Sequence, residues 1–195
     1  MPLRLVLART DHVAVALVGA TAYSTGVTLT VAVRSRRSGT SEDVDDLFDD
    51  PYGMRFGHLL RHTLQGGELP PELLRFGVQF SDGRKATSLG EALPGVDEEA
   101  PSGAVLTQGG GSGGGGDWES DFWLWPVPPP GPVTFAVEWP AREIELTKQQ
   151  VDASVFIKAS EESEALWPAE GVWDGAPESS TFRLIGGQEP PDGQG

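Results

Sequence analysis

The chain has 195 residues, with 14 Lys and Arg against 29 Asp and Glu, a formal charge of -15, 26 Gly, 16 Pro and no Cys. That length suits one domain with appendages. The acidic balance argues against nucleic acid or an anionic membrane surface as partner, since both attract clustered basic residues. Without Cys there can be no disulfide, thiolate nucleophile, thiol zinc site or iron–sulfur cluster. Without Asn there is no N-glycosylation sequon.

From the N-terminus, Arg4 and Arg9 precede an apolar stretch from Val13 to Ala20 and then Ala20-Thr21-Ala22. This is a signal-peptide outline with cleavage after Ala22, interrupted by Asp11 and His12. The competing reading is a strand, because Val13, Val15 and Leu17 alternate with Ala14, Ala16 and Val18. We favour the strand, with a cytoplasmic location as the expectation and secretion as the alternative. No apolar run approaches the roughly 20 residues of a spanning helix. Val27, Leu29, Val31 and Val33 alternate with Thr28, Thr30, Ala32 and Arg34, which predicts a strand near 26–36 and a hairpin through Ser24-Thr25-Gly26. Residues 1–40 hold five Arg and one acid, whereas the remainder holds nine basic and 28 acidic residues. Arg34, Arg36 and Arg37 are therefore expected to meet acidic neighbours.

Residues 41–50 are too charged to pack and read as a loop. An EF-hand starting at Asp43 fails, because Phe48 and Met54 stand where Gly and Glu belong. Residues 54–65 suggest a short helix on which His58 and His62, four apart, have two-ligand metal spacing. The Glu that follows the first His in metalloprotease helices is replaced by Leu59. Next, Leu73 to Phe80 and Arg84 to Ser88 predict a hairpin around Ser81-Asp82-Gly83. Residues 89–102 read as loop. A strand at 103–108 then enters the glycine run 109–116, whose entropic cost predicts a mobile hairpin tip before a strand from Trp118 to Trp125.

The Pro-rich segment 126–132 predicts an extended turn, and 133–139 a strand with Val133, Phe135, Val137 and Trp139 on one face. Ile144 and Leu146 suggest a short strand. Thr147-Lys148-Gln149-Gln150 has the capping-box pattern, which predicts a helix from Lys148 to about Ala165 with Val151, Val155, Ala159 and Leu166 on its apolar side. The expected organisation is a single domain over 1–167 and a mostly disordered acidic tail over 168–195. About seven short strands and one helix make the expected fold mainly β: an antiparallel β-sandwich, immunoglobulin-like or related, with a C-terminal helix packed on it.

Six Trp is a high count, and Trp118, Trp123, Trp125 and Trp139 bracket one predicted hairpin. They read either as a sandwich core or, if exposed beside Asp117, Glu119 and Asp121, as a platform for sugars or a peptide. Pro126-Val127-Pro128-Pro129-Pro130 contains a PxxP core without the basic flank of an SH3 ligand, so a rigid connection is expected. No nucleophile elbow, phosphate loop or dinucleotide fingerprint is present, and no cofactor is expected.

Two blocks, Leu74-Arg75-Phe76-Gly77-Val78-Gln79-Phe80-Ser81-Asp82-Gly83-Arg84-Lys85-Ala86-Thr87 and Phe122-Trp123-Leu124-Trp125-Pro126-Val127-Pro128-Pro129-Pro130-Gly131-Pro132, resemble a family of uncharacterised actinobacterial proteins over about residues 70–167. That family also carries a glycine-rich insertion before its tryptophan strand. The resemblance implies a native glycine loop and supplies no catalytic residues. Three functions follow as expectations. The first is a non-enzymatic protein-interaction or structural module with a protein partner, bound through an exposed strand edge beside the Trp/Pro hairpin. The alternatives are a carbohydrate-binding module using exposed Trp, and a metal-dependent hydrolase using His58 and His62.

Overall fold

Apolar residues at every second position give each strand one oily face, and two such sheets bury those faces against each other. A computed structural model describes residues 4–36, 69–89, 101, 103–114 and 117–164. Among the described residues the strands are β1 (Leu5–Arg9), β2 (Val13–Ala22), β3 (Val27–Ser35), β4 (Arg75–Gln79), β5 (Lys85–Thr87), β6 (Val105–Gly114), β7 (Asp117–Trp125), β8 (Pro132–Trp139) and β9 (Ile144–Asp152). A helix, α1 (Ser154–Glu161), follows β9. One sheet has the order β1-β2-β3-β7-β6 and the other β5-β4-β8-β9. All neighbours are antiparallel. The fold is thus a β-sandwich with one helix, as the alternation predicts. At the sides, β1 lies near β9 and β5 near β6.

The predicted hairpins through Ser24-Thr25-Gly26 and Ser81-Asp82-Gly83 form. Val15 pairs with Val33 and Leu17 with Val31, and all four are fully buried. Val13–Ala22, the segment with a signal-peptide outline, is an interior strand of the first sheet. In the second sheet, Phe76, Val78 and Phe80 face inward beside Val133, Phe135, Val137 and Trp139. The Ser81-Asp82-Gly83 turn places Gly83 at φ 88, and the amide of Phe80 donates to the Arg84 carbonyl at 2.9 Å. Buried Ser88 closes this hairpin: its Oγ accepts from the Phe76 amide at 3.2 Å.

Four phenylalanines join the layers. Phe122 of β7 meets Phe76 of β4 edge-on, with ring centroids 5.1 Å apart. Phe76 stacks on Phe135 of β8 at 6.2 Å. Phe135 then meets Phe156 of α1 at 6.4 Å. Burying each ring contributes about 1.5–3 kcal/mol, and aromatic pairing adds about 0.5–1.5 kcal/mol per contact.

Three expectations are corrected. The helix starts at Ser154, not Lys148, because residues 144–152 form β9 and complete the second sheet. Thr147 does not cap a helix; its hydroxyl donates to the Val137 carbonyl across the ladder at 3.3 Å. Val151 accordingly belongs to a strand, Val155 is exposed, and Phe156 is the residue that anchors the helix. The second correction is β1, an edge strand that the signal-peptide outline conceals. The third concerns the glycine run: residues 109–114 are strand rather than loop. The predicted helix over 54–65 and the tail over 168–195 lie outside the described residues.

Asp152 marks the change from β9 to α1. Its Oδ1 accepts from the Ser154 amide at 2.8 Å. Hydrogen bonds from the Ser154 hydroxyl, and secondarily from its amide, hold this exposed carboxyl below the usual aspartate range. A carboxyl lowered in the folded state stabilises the fold above its unfolded pKa, and that contribution fades as pH falls through the folded value. Asp152→Ala should therefore lower the thermal midpoint near neutral pH, with the deficit shrinking at about pH 3. An equal deficit at both pH values would refute the role of the charge. In the core, Phe76→Ala should cost about 3–5 kcal/mol in urea unfolding. A loss below about 1 kcal/mol would contradict its place between the sheets.

Candidate functional site

β7 runs beside β3 without a register break, from Val27 against Leu124 to Arg34 against Asp117. Its residues therefore alternate faces over its whole length. Phe122 and Leu124 point into the core, with buried Ser120 and half-buried Trp118 in line with them. Asp117, Glu119, Asp121, Trp123 and Trp125 occupy the opposite, outer face.

That geometry decides how the four candidate tryptophans are used. Trp139 is 2% exposed, lies on the inner face of β8, and donates from Nε1 to the Glu72 carbonyl at 2.8 Å. Trp123 is only 6% exposed although it faces outward. Tyr23 lies beside it, with ring centroids 5.6 Å apart. Its indole occupies the space over Gly26, where a Cβ would stand 2.5 Å from Cζ2 and 2.7 Å from the Leu124 carbonyl oxygen. Trp118 and Trp125 are half-buried and sit on opposite faces of β7. None of the four is without a partner. Trp139 thus lies in the sandwich core and Trp118 packs against it, whereas Trp123 is buried on the outer face of β7 and Trp125 is half-buried there.

The outer acids form a row with positions two residues apart. Arg34 of β3 forms an ion pair with Glu119 and donates to the Trp118 carbonyl at 3.1 Å. Thr30 Oγ1 donates to Asp121 Oδ1 at 2.7 Å, and the Ser35 amide reaches Asp117 Oδ1 at 3.4 Å. The expectation of acidic neighbours is thereby met at Arg34; Arg36 is exposed and forms no ion pair among the described residues, and Arg37 lies outside them.

On the other side of this row runs β6, the edge of the five-stranded sheet. Leu106 pairs with Leu124 and Gln108 with Phe122, then the register shifts, and Gly111 pairs with Ser120 and Gly113 with Trp118. Gly109 and Gly110 together oppose Asp121, which is a β-bulge. The Ser120 hydroxyl pins it by donating to the Gly110 carbonyl at 3.3 Å and accepting from Gln108 Nε2 at 3.1 Å. Two of the glycines are forced by close approach. A Cβ on Gly111 would stand 2.9 Å from the Glu119 carbonyl oxygen, and one on Gly113 would stand 2.8 Å from that of Asp117 and 3.1 Å from Trp118 Cδ1. Gly110 has open space around it. Every residue from Gly109 to Gly113 is exposed.

An exposed edge beside the Trp/Pro hairpin was expected; that the glycine run forms it is what sequence reasoning missed. A signal was present: the strand at 105–108 continues into a run with no Pro or charge, opposite a strand long enough to template it. The acidic run of residues 42–50, together with His58 and His62, lies outside the described residues. Among the described residues no group of three or more His, Asp or Glu is placed to hold a metal ion. The PxxP segment crosses between the sheets with Pro128 buried, the Val127 amide donating to the Thr25 carbonyl at 3.2 Å, and Ser81 Oγ donating to the Pro130 carbonyl at 2.8 Å. It is a packed connection. Comparison with protein-family models, curated proteins and solved structures finds no match to this chain.

The close approaches separate the glycines experimentally. Gly26→Ala and Gly113→Ala should each destabilise by about 1–3 kcal/mol in urea unfolding, since a methyl group meets a ring or a backbone oxygen. Gly110→Ala should be neutral or stabilising by up to about 1 kcal/mol, because it restricts only the unfolded chain. Equal effects at Gly110 and Gly113 would contradict the strand ladder over this run.

Proposed function

We propose that this protein is a non-enzymatic interaction module that takes up an extended segment of a partner protein as an added strand along β6. The observation that carries the reading is the succession of five exposed residues, Gly109 to Gly113, in an edge strand held in register with β7. Sheet edges attract further strands through their unpaired amides and carbonyls, and proteins usually blunt them with Lys, Pro or short length. β5 is three residues long and carries Lys85. β1 and β9 lie near one another at the opposite side, as β5 and β6 do at this one, where the exposed part of β6 is Gly109 to Gly113. β6 spans ten residues without a charge or a proline. Its bulge is the one blunting device it carries, and beyond it Gly111–Gly114 is a regular stretch.

Strand addition takes its affinity from main-chain hydrogen bonds and its selectivity from side chains at alternate positions. Glycines suit the first role, since nothing projects to hold a second backbone away. The net charge of -15 also supports a protein partner over a polyanion.

A partner retained by the immobilised full-length protein should be lost with Ser112→Pro or Gly110→Pro, because proline removes an amide from the edge. Far-UV circular dichroism identifies which variant keeps the native sheet. Retention of the partner by a folded proline variant would overturn the reading. So would protection of the same β7-side amides alone when free and bound forms are compared by hydrogen exchange.

A further inference from the structure

We infer that the strand received by β6 is basic at every second position, an assignment that rests on the strand-addition reading. Neighbouring strands lie about 4.8 Å apart, so an added backbone would run about 10 Å from β7. Between them is β6, which over Gly109–Gly114 offers no side chain larger than Ser112. A long side chain on the outer face of the added strand can therefore lie flat across β6. What it meets is the row Asp117, Glu119 and Asp121. These acids repeat every second residue, about 6.7 Å apart, which matches the spacing of like-facing side chains on a partner strand. Arg34 answers Glu119 from the β3 side, while Asp117 and Asp121 are exposed and, among the described residues, accept from the Ser35 amide and the Thr30 hydroxyl. Lys or Arg at alternate positions would complete the row from the open side. The inward positions of the same strand would run beside Gly111 and Gly113, next to half-buried Trp118, and call for apolar residues.

Charge selects this occupant over the two nearest competitors. A second copy of the chain brings another formal charge of -15 and the same acidic row. Within the chain, the alternating stretch Thr181-Phe182-Arg183-Leu184-Ile185 has one basic residue in a segment, 165–195, that also holds Glu170, Asp174, Glu178, Glu189 and Asp192. A basic segment of another protein gains attraction where these meet repulsion.

The test uses the full-length chain and three fluorescein-labelled synthetic peptides, read by anisotropy at low and at physiological ionic strength. One alternates Lys with Val, one alternates Thr with Val, and one has the Lys and Val residues in separate blocks. The alternating Lys peptide should bind about tenfold tighter than either control at low salt, with the advantage falling as salt screens it. The double variant Asp117→Asn, Asp121→Asn keeps the hydrogen-bond acceptors and should bring the Lys peptide down to the level of the Thr peptide. Ser112→Pro should abolish binding of both alternating peptides. Equal binding of the Lys and Thr peptides would overturn the basic assignment and leave strand addition standing. Binding of neither alternating peptide would overturn both. Equal binding of the block and alternating Lys peptides would also overturn it, since charge alone would then suffice. Self-association that Ser112→Pro removes would place a second copy on the edge. Binding gained only with Phe182→Asp would place the chain's own C-terminal segment there. Either result would overturn the assignment.

Discussion

The contact on which the rest of the structure depends is the succession Phe122, Phe76, Phe135 and Phe156. It passes from the five-stranded sheet into the four-stranded sheet and on to the helix. Each ring comes from a different element, so no single hairpin can form its core face alone. Aromatic rings this close fix both spacing and orientation, where aliphatic contacts would allow the sheets to slide. The helix is short, and one buried ring, Phe156, holds it to the sandwich with Ala153.

Phe122 also explains why the glycine-rich strand is possible. Because its side chain is anchored between the sheets, β7 is held along its length by β3 on one side. A fixed β7 then offers a template on the other. Glycine loses more freedom in a strand than any other residue, and an isolated run of this kind would not hold a single conformation. Here the ladder to β7, the Ser120 hydroxyl at the bulge and the approach of Gly113 to Trp118 supply what the side chains lack. The same absence of side chains leaves the outer edge bare and the acidic row beyond it reachable. Core, ladder and edge are thus consequences of one anchored strand.

The sequence made the strands legible where side chains alternate, as at Val27 to Val33 and Val133 to Trp139, because a half-buried sheet writes its two faces into the residue types. It misled at Lys148, Gln149 and Gln150. These residues favour a helix on local grounds, but β8 needed a neighbour, and tertiary pairing prevailed. β1 was hidden because Leu5, Val6 and Leu7 also fit the start of a targeting segment. For the tryptophans, alternation assigned the faces of β7 correctly but could not say that an outward ring would be buried. Trp123 is covered because Gly26 and Tyr23, far away in sequence, make room for it and close over it. At the glycine run, backbone entropy favours a mobile loop on local grounds, and pairing with β7 offsets it. An edge beside the Trp/Pro hairpin was therefore legible in the sequence, but its extension through the glycines was not.

The central claim is that the glycine run is an ordered strand with one side paired and the other open. Amide hydrogen exchange followed by NMR tests it most directly over residues 109–114. A ladder with a free outer side predicts alternation: amides directed at β7 exchange slowly and those directed outward exchange close to unprotected rates. Fast exchange at every one of these amides would mean a loop in place of a strand, and slow exchange at every one would mean a covered edge. Either uniform pattern would contradict the account.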